Sequence, residues 1–228
     1  MSAESIPQPI PQPVPQQNDT GMLYLLFGCM SSGKTTELMK LLIVDSIVEK
    51  SVLYVNHSLD MIRITDGGYY THNPVLNPSA SDTGVKQIFT EDLFSLIVKE
   101  QNTGRMIIDD YSTVGIDEAQ FFDKNIVEFV LILVEKYHKK VYVAGLSTDF
   151  KRHQFGNFMN LVPYADEIIH LKGRCARCAK SGIHSDSLFT HKRLTTQPKQ
   201  PKQIEIGGLE MYESSCRRCY LEMNKNIE

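Results

Sequence analysis

Gly28-Cys29-Met30-Ser31-Ser32-Gly33-Lys34-Thr35 follows the spacing G-x-x-x-x-G-K-[ST], and residues of these types in this order suit one task, the grip on a polyphosphate. Glycines let successive backbone N–H groups turn toward phosphate oxygens, and a helix that starts at the lysine adds its partial positive charge. In such a loop Gly28, Ser31, Ser32, Gly33, Lys34, Thr35 and Thr36 form the ATP- and phosphate-binding set. Lys34 would reach the β- and γ-phosphates and the Thr35 hydroxyl would hold Mg²⁺. A chance glycine-rich turn would need no strand before it and no helix after it. Here the apolar run Met22 to Phe27 precedes the loop and a helical pattern begins near Lys34.

Phosphoryl transfer also needs an acid beside the metal, and two segments offer one: Ile107-Ile108-Asp109-Asp110 and Val114-Gly115-Ile116-Asp117-Glu118. The second is the better placed, because its acids close an apolar run and lead into a strong helical repeat. Acids at the carboxyl end of a parallel strand face the ligand crevice. Asp117 is then expected to orient Mg²⁺, through water, and Glu118 to act as general base beside the γ-phosphate. The plain alternative for Glu118 is an exposed surface acid.

Four of the five cysteines form two C-x-x-C units, Cys175-Ala176-Arg177-Cys178 and Cys216-Arg217-Arg218-Cys219. Two such units supply four thiolates at the spacing of a tetrahedral structural Zn²⁺ site. A redox pair would need only one unit, and a cytosolic chain would not rely on disulfides. His184 and His191 lie between the pairs and offer substitute ligands, although four cysteines already fill the site. Cys29 is read as a small space-filler. A zinc ribbon serves one of three ends: it binds nucleic acid, mediates protein contacts, or clamps a loop. The segment between the pairs is long, polar and basic, and a single metal pinning both of its ends would let it close over a substrate.

These groups need elements to position them. Leu38, Leu41, Leu42, Asp45 and Val48 fall on helical spacing after the loop, and Ser51-Val52-Leu53-Tyr54-Val55 reads as a buried strand. A strand, loop, helix and strand in that order pair in parallel with a right-handed crossover. Residues 61–84 carry glycines, prolines and asparagines with little periodicity and are expected to form a long loop. Ile126, Phe129, Val130, Leu133, Val134 and Tyr137 repeat at 3 and 4, predicting a helix. Val141 to Leu146 and Glu167 to Leu171 read as further strands, and the polar segment from Ser147 to Arg152 should also lie over the crevice. The expected fold class is α/β, a P-loop NTPase-like parallel sheet core with helices on both faces, plus a small C-terminal zinc-ribbon domain.

The expected organisation is a Pro/Gln-rich tail at 1–20, an ATP-binding domain at 21–171, a zinc-binding domain at 172–221 and a short tail at 222–228. Pro7, Pro9, Pro11, Pro13 and Pro15 alternate along the first segment, which removes every second backbone donor and leaves polyproline II or disorder. It reads as a dispensable tail, with a docking site for a proline-binding partner as the alternative. A net charge of −3 gives no global pull toward nucleic acid. No apolar run approaches bilayer-spanning length and no secretory signal is evident. The expected setting is cytoplasmic, with no membrane and no nucleic-acid partner.

At this point the chain resembles a family, the zinc-containing type II thymidine kinases of animals, bacteria and large DNA viruses. The resemblance spans roughly residues 21–221 and rests on the phosphate loop continued through Thr36-Glu37-Leu38, on Gly115-Ile116-Asp117-Glu118-Ala119-Gln120-Phe121-Phe122, and on Asn160-Leu161-Val162-Pro163. Lys192-Arg193-Leu194, Ile206-Gly207-Gly208, Tyr212 and both cysteine pairs add to it. It implies transfer of the ATP γ-phosphate to the 5′-hydroxyl of thymidine. Glu118 matches the family's catalytic base; Lys34 and Thr35 match its phosphate and magnesium contacts. Phe121, Leu146, Phe150 and Phe155 match walls of the thymidine pocket. The segment from Phe189 to Tyr212 resembles the family's lasso, which places Thr190, Ile206, Gly208 and Tyr212 at the nucleoside. The resemblance further implies Mg²⁺ with ATP, structural Zn²⁺, a homotetramer and feedback inhibition by dTTP.

Three features depart from the family pattern. Asp60 and Arg63 are separated by two residues where relatives carry a single spacer, Ser147 replaces an Asp, and the lasso with Pro198 and Pro201 is longer than usual. Arg63 is carried over as a phosphate contact. Two other functions compete, a kinase of broader pyrimidine deoxynucleoside range and a phosphate-loop ATPase whose zinc ribbon grips nucleic acid. The latter would need sensor and arginine-finger segments that the sequence does not show.

Overall fold

The structure is a computed structural model that describes residues 20–49, 51–63, 84–122, 125–193 and 211–224. Six strands, β1 (Met22–Gly28), β2 (Val52–His57), β3 (Val85–Thr90), β4 (Thr113–Ile116), β5 (Lys140–Leu146) and β6 (Glu167–Leu171), form one sheet in the order β3-β2-β4-β5-β1-β6. Every pairing in it is parallel. The central strands are short apolar runs buried on both faces, as crossover helices on each side require.

Side-chain alternation sorts the two cores. Leu23, Leu25, Val55, Val114, Ile116, Val141 and Val143 pack on one face with Phe129, Val130, Phe158 and Leu161. Leu26, Tyr54, Tyr142 and Ala144 pack on the other with Leu38, Met39 and Leu42 of α1 (Lys34–Glu49). Gly115 lets α1 approach the sheet, since a Cβ there would sit 2.5 Å from the Leu42 side chain. Asp45 is buried because it bonds Lys140 at 2.9 Å and the Tyr142 hydroxyl at 3.1 Å. Val48 departs from the expected stripe and is 78% exposed. Six residues beyond Leu42 it lies about 240° around the helix, away from the sheet.

The predicted second helix is present with a change of winding. α2 (Ile126–Leu131) runs on into a π-helical turn over Ile132–Lys136, in which the Tyr137 N–H donates to the Ile132 carbonyl at 3.1 Å. Ile126, Phe129, Val130 and Leu133 are buried as the repeat requires. Over so few residues a 3-and-4 repeat does not separate i→i+4 from i→i+5 bonding.

β3 was not expected. Lys86 and Gln87 interrupt its apolar pattern, and it is an edge strand in which Val85 alone is fully buried. Asp109 and Asp110 end no strand; they lie in a surface 3₁₀ turn, Ile107–Asp110, where Asp110 pairs with Arg105 and Asp109 accepts from the Met106 N–H at 2.8 Å.

Past β6 the chain builds two antiparallel ribbons and two short helices. β7 (Gly173–Arg174) pairs with β8 (Asp186–Ser187), and β9 (Phe189–Lys192) pairs with β10 (Tyr212–Ser215). α3 (Ala176–Lys180) and α4 (Arg217–Met223) each begin one residue after a cysteine, Cys175 and Cys216. Among the described residues no helix is long and apolar enough to cross a membrane.

Candidate active site and metal centre

The carboxyl ends of β1, β4 and β5 converge, and the residues that follow each strand define the site. After β1 the phosphate loop turns through two left-handed positions, Ser31 at φ 59° and Gly33 at φ 84°. Gly28 tolerates no side chain, because a Cβ would lie 2.3 Å from the Leu171 carbonyl oxygen. Lys34 is buried, and its Nζ donates back to the Cys29 carbonyl at 3.0 Å, closing the loop around it. Burial lowers the Lys34 pKa, while Glu118, Cys29 and Asp117 act to hold it up. Ser32 is buried, Thr35 and Thr36 are half-buried, and Ser31 and Gly33 face solvent.

Asp117, the residue after β4, is 1% exposed. Its carboxylate accepts from the Glu118 N–H at 2.8 Å and from the Tyr54 hydroxyl at 3.0 Å. Burial first, then the charge of Glu118, raises its pKa to about 7, against the pull of the Thr35 side chain and the Glu118 N–H. The two residues expected at a magnesium ion thus lie side by side. Asn56 extends this network, donating to the Tyr54 hydroxyl at 3.2 Å and to Asp60 at 2.9 Å.

Glu118 is half-buried and adopts a left-handed backbone, φ 49°. Its carboxylate accepts from the Gln120 side-chain amide, and the other end of that amide accepts from the Leu146 N–H at 2.9 Å.

Aromatic side chains stand beside these groups. Phe121 meets Phe155 edge-on with ring centres 5.8 Å apart, and His57 lies 6.0 Å from Phe121 and 4.9 Å from Phe122. Burial lowers the His57 pKa. Phe150 and Tyr212 lie 6.3 Å apart, and the Tyr220 hydroxyl donates to the Phe150 carbonyl at 2.7 Å. The loop after β5 is thereby fastened to α4. Thr190 turns its hydroxyl to the phosphate loop, accepting from the Met30 N–H at 2.9 Å. Ile206 and Gly208 lie outside the described residues, as do the Arg63 side chain and most of the tail at 1–20.

The four paired cysteines come together with sulfurs all within 4.8 Å of one another. Cys178 Sγ is 3.8 Å from Cys216 Sγ and 3.5 Å from Cys219 Sγ. A tetrahedron with Zn–S bonds of about 2.3 Å has edges of about 3.8 Å, so a zinc ion fits this cage. His184 is exposed on the surface, and His191 is within 3.3 Å of Asn224.

Residue spacing did not single out Tyr54, Asn56, Gln120, Ser187 or Tyr220 for the site. Gln120 stood inside the acidic motif, four residues past the end of β4, and that position was its one available signal. The others are joined to the site only through long-range contacts.

A family model for thymidine kinase matches residues 21–220. The thymidine kinase of Choristoneura biennis entomopoxvirus is 32% identical over 200 residues, covering 88% of this chain and 96% of that protein. That of variola virus is 32% identical over 203 residues, with 89% and 98% covered. That of Mycoplasma mobile is 30% identical over 202 residues, with 89% and 88% covered.

Proposed function

The chain belongs to the thymidine kinase family and is an ATP-dependent thymidine kinase, and from that premise we propose which of its residues carry the reaction. Thymidine and ATP are the substrates. Glu118 takes the proton of the thymidine 5′-hydroxyl as that oxygen bonds the γ-phosphorus, and the bond to the bridging oxygen of the leaving ADP breaks. Lys34, with the N–H groups of the phosphate loop, balances the charge carried by the transferred phosphoryl group. Thr35 and Asp117 would hold Mg²⁺, which when bound with ATP supplies further charge neutralisation on the phosphates. Phe121, Leu146, Phe150, Phe155, Tyr212 and the segment from Thr190 through Ile206 and Gly208 enclose the nucleoside, and Arg63 contacts phosphate. Four thiolates leave zinc no open coordination position, so its role is structural.

The observation that carries this reading is the convergence on one spot of Lys34, Asp117 and Glu118 from two separate motifs, with Thr35 beside Asp117. We further propose a nucleotide-binding unit at 21–171, a zinc unit at 172–221, a homotetramer, inhibition by dTTP and a cytoplasmic location. Transfer from ATP to labelled thymidine, with deoxycytidine as competitor, tests the activity and its range. Equal use of deoxycytidine would overturn the narrow substrate assignment.

A further inference from the structure

We propose that Gln120 is a positioning residue that fixes the carboxylate of Glu118 and ties it to the wall residue Leu146; this rests on Glu118 being the base. Gln120 is 3% exposed. Its amide orientation is set by chemistry, because the Leu146 N–H is a donor and must face the carbonyl oxygen, at 2.9 Å. The amide nitrogen therefore faces Glu118 Oε2, to which it can only donate. One carboxylate oxygen is thus held as an acceptor.

Two glycines make room for this residue, Gly145 for its side chain and Gly156 for its backbone. A Cβ on Gly145 would come within 2.9 Å of the Gln120 Oε1 and 2.8 Å of the Phe158 ring. A Cβ on Gly156, whose φ is 67°, would come within 2.5 Å of the Gln120 carbonyl oxygen. Leu146 and Gly156 bracket the loop that carries Phe150 and Phe155, so the side chain that orients Glu118 also pins the last strand residue before that loop. Gln120 thereby joins the end of β4 to the end of β5. A base misplaced by about 1 Å loses on the order of a hundredfold in rate, which makes the rotamer of Glu118 worth fixing.

Two variants of the full chain separate positioning from support of the fold. Gln120→Met fills the slot but donates nothing to Glu118 and accepts poorly from Leu146. Gln120→Glu keeps the acceptor for Leu146 and replaces the donor with a carboxyl group that, when ionised, repels Glu118. Both are expected to lower kcat about 10- to 100-fold, with the KM for ATP within about twofold of the parent. Gln120→Glu should lose more stability at neutral than at acidic pH, because at neutral pH both carboxyl groups are ionised at one contact. In a Glu118→Gln background either variant should add less than about twofold, because the group it orients is already lost. A kcat within about twofold of the parent in both variants, or a full second loss in the Glu118→Gln background, overturns the inference. If Gln120→Met fails to fold, the cycle with Gln120→Glu gives the same two readings. Parental turnover in Glu118→Gln alone would instead remove the base assignment.

Discussion

The Met30 N–H donates to the Thr190 hydroxyl at 2.9 Å, a bond between residues 160 apart in the chain that joins the middle of the phosphate loop to strand β9. Its neighbours follow suit. Cys29 Sγ lies 3.4 Å from the Ser187 hydroxyl, and a Cβ on Gly173 would stand 3.0 Å from the Ser31 carbonyl oxygen. Three successive loop residues therefore rest on the base of the cysteine module, so the loop proposed to grip ATP and the segment proposed to enclose the nucleoside share a foundation.

Thr190→Val keeps the shape of the side chain and removes the acceptor, leaving the Met30 N–H buried without a partner. The cost should be about 1–3 kcal/mol of folding stability. Thr190→Ser should lose much less, since it keeps the hydroxyl. Urea unfolding of the two variants gives the comparison, and the KM for ATP should rise in the valine variant. Equal stability of the two would show that the bond contributes nothing.

Much of this architecture was legible from the residues because it depends on local order. The phosphate loop needs a strand before it and a helix after it, and β1 and α1 flank Gly28 to Thr35 as the spacing requires. The acids of β4 were distinguishable from Asp109 and Asp110 because only Asp117 and Glu118 close an apolar run and open a helical repeat. The cysteine cage follows from two fixed spacings. Edge strand β3 was not legible, since an edge needs little apolar surface and its pattern is broken by Lys86 and Gln87. Gln120 was not legible as a partner of Leu146, nor Thr190 as a partner of Met30, because such contacts are made by chain topology and leave no periodic trace.

Lys34 and Glu118 should fail in different ways, because the proposed roles differ: one balances phosphate charge and the other takes a proton. Glu118→Gln is expected to retain ATP binding and to lose turnover by roughly 10²- to 10⁴-fold, the range for a positioned general base. Lys34→Ala should weaken nucleotide binding as well as turnover. Calorimetric titration with ATP alongside steady-state kinetics separates the two. Near-parental turnover in Glu118→Gln would pass the role of base to Asp117 or solvent.

Asp117 gives a pH dependence whose sign can be worked out. Its pKa rises from the ordinary 3.8 to about 7 in the folded chain, chiefly through burial. Between those values the folded state holds the proton more tightly than the unfolded chain, so this group's contribution to stability falls as pH rises through that interval. Asp117→Asn removes the effect. In the absence of nucleotide and magnesium, its melting temperature relative to the parent should climb from pH 4 to pH 7 and then level off. His57 and His191, whose burial lowers their pKa values, act in the opposite sense in both proteins and drop out of the difference. A flat difference across this range would mean that Asp117 is ionised throughout.

Zinc should matter to the nucleoside more than to the phosphate. Its cage holds Cys175 and Cys216, each one residue ahead of a helix, and Cys216 directly follows β10, the partner of β9. Releasing one thiolate should therefore loosen the β9–β10 ribbon from which the segment between Lys192 and Tyr212 extends. We expect one zinc per chain. Cys178→Ser or Cys216→Ser should raise the KM for thymidine and lower the yield of folded protein, while ATP binding at Gly28 to Thr35 persists in what folds. The Met30–Thr190 bond makes that persistence incomplete, and amide exchange should rise first in Phe189 to Lys192 and Tyr212 to Ser215, then at Met30. Elemental analysis of freshly purified, reduced, active protein checks the stoichiometry, and hydrogen exchange checks the order of loosening. Active protein without zinc would remove the clamp, and unchanged exchange in the β9–β10 ribbon of a zinc-free variant would confine the metal's effect to its own knuckles.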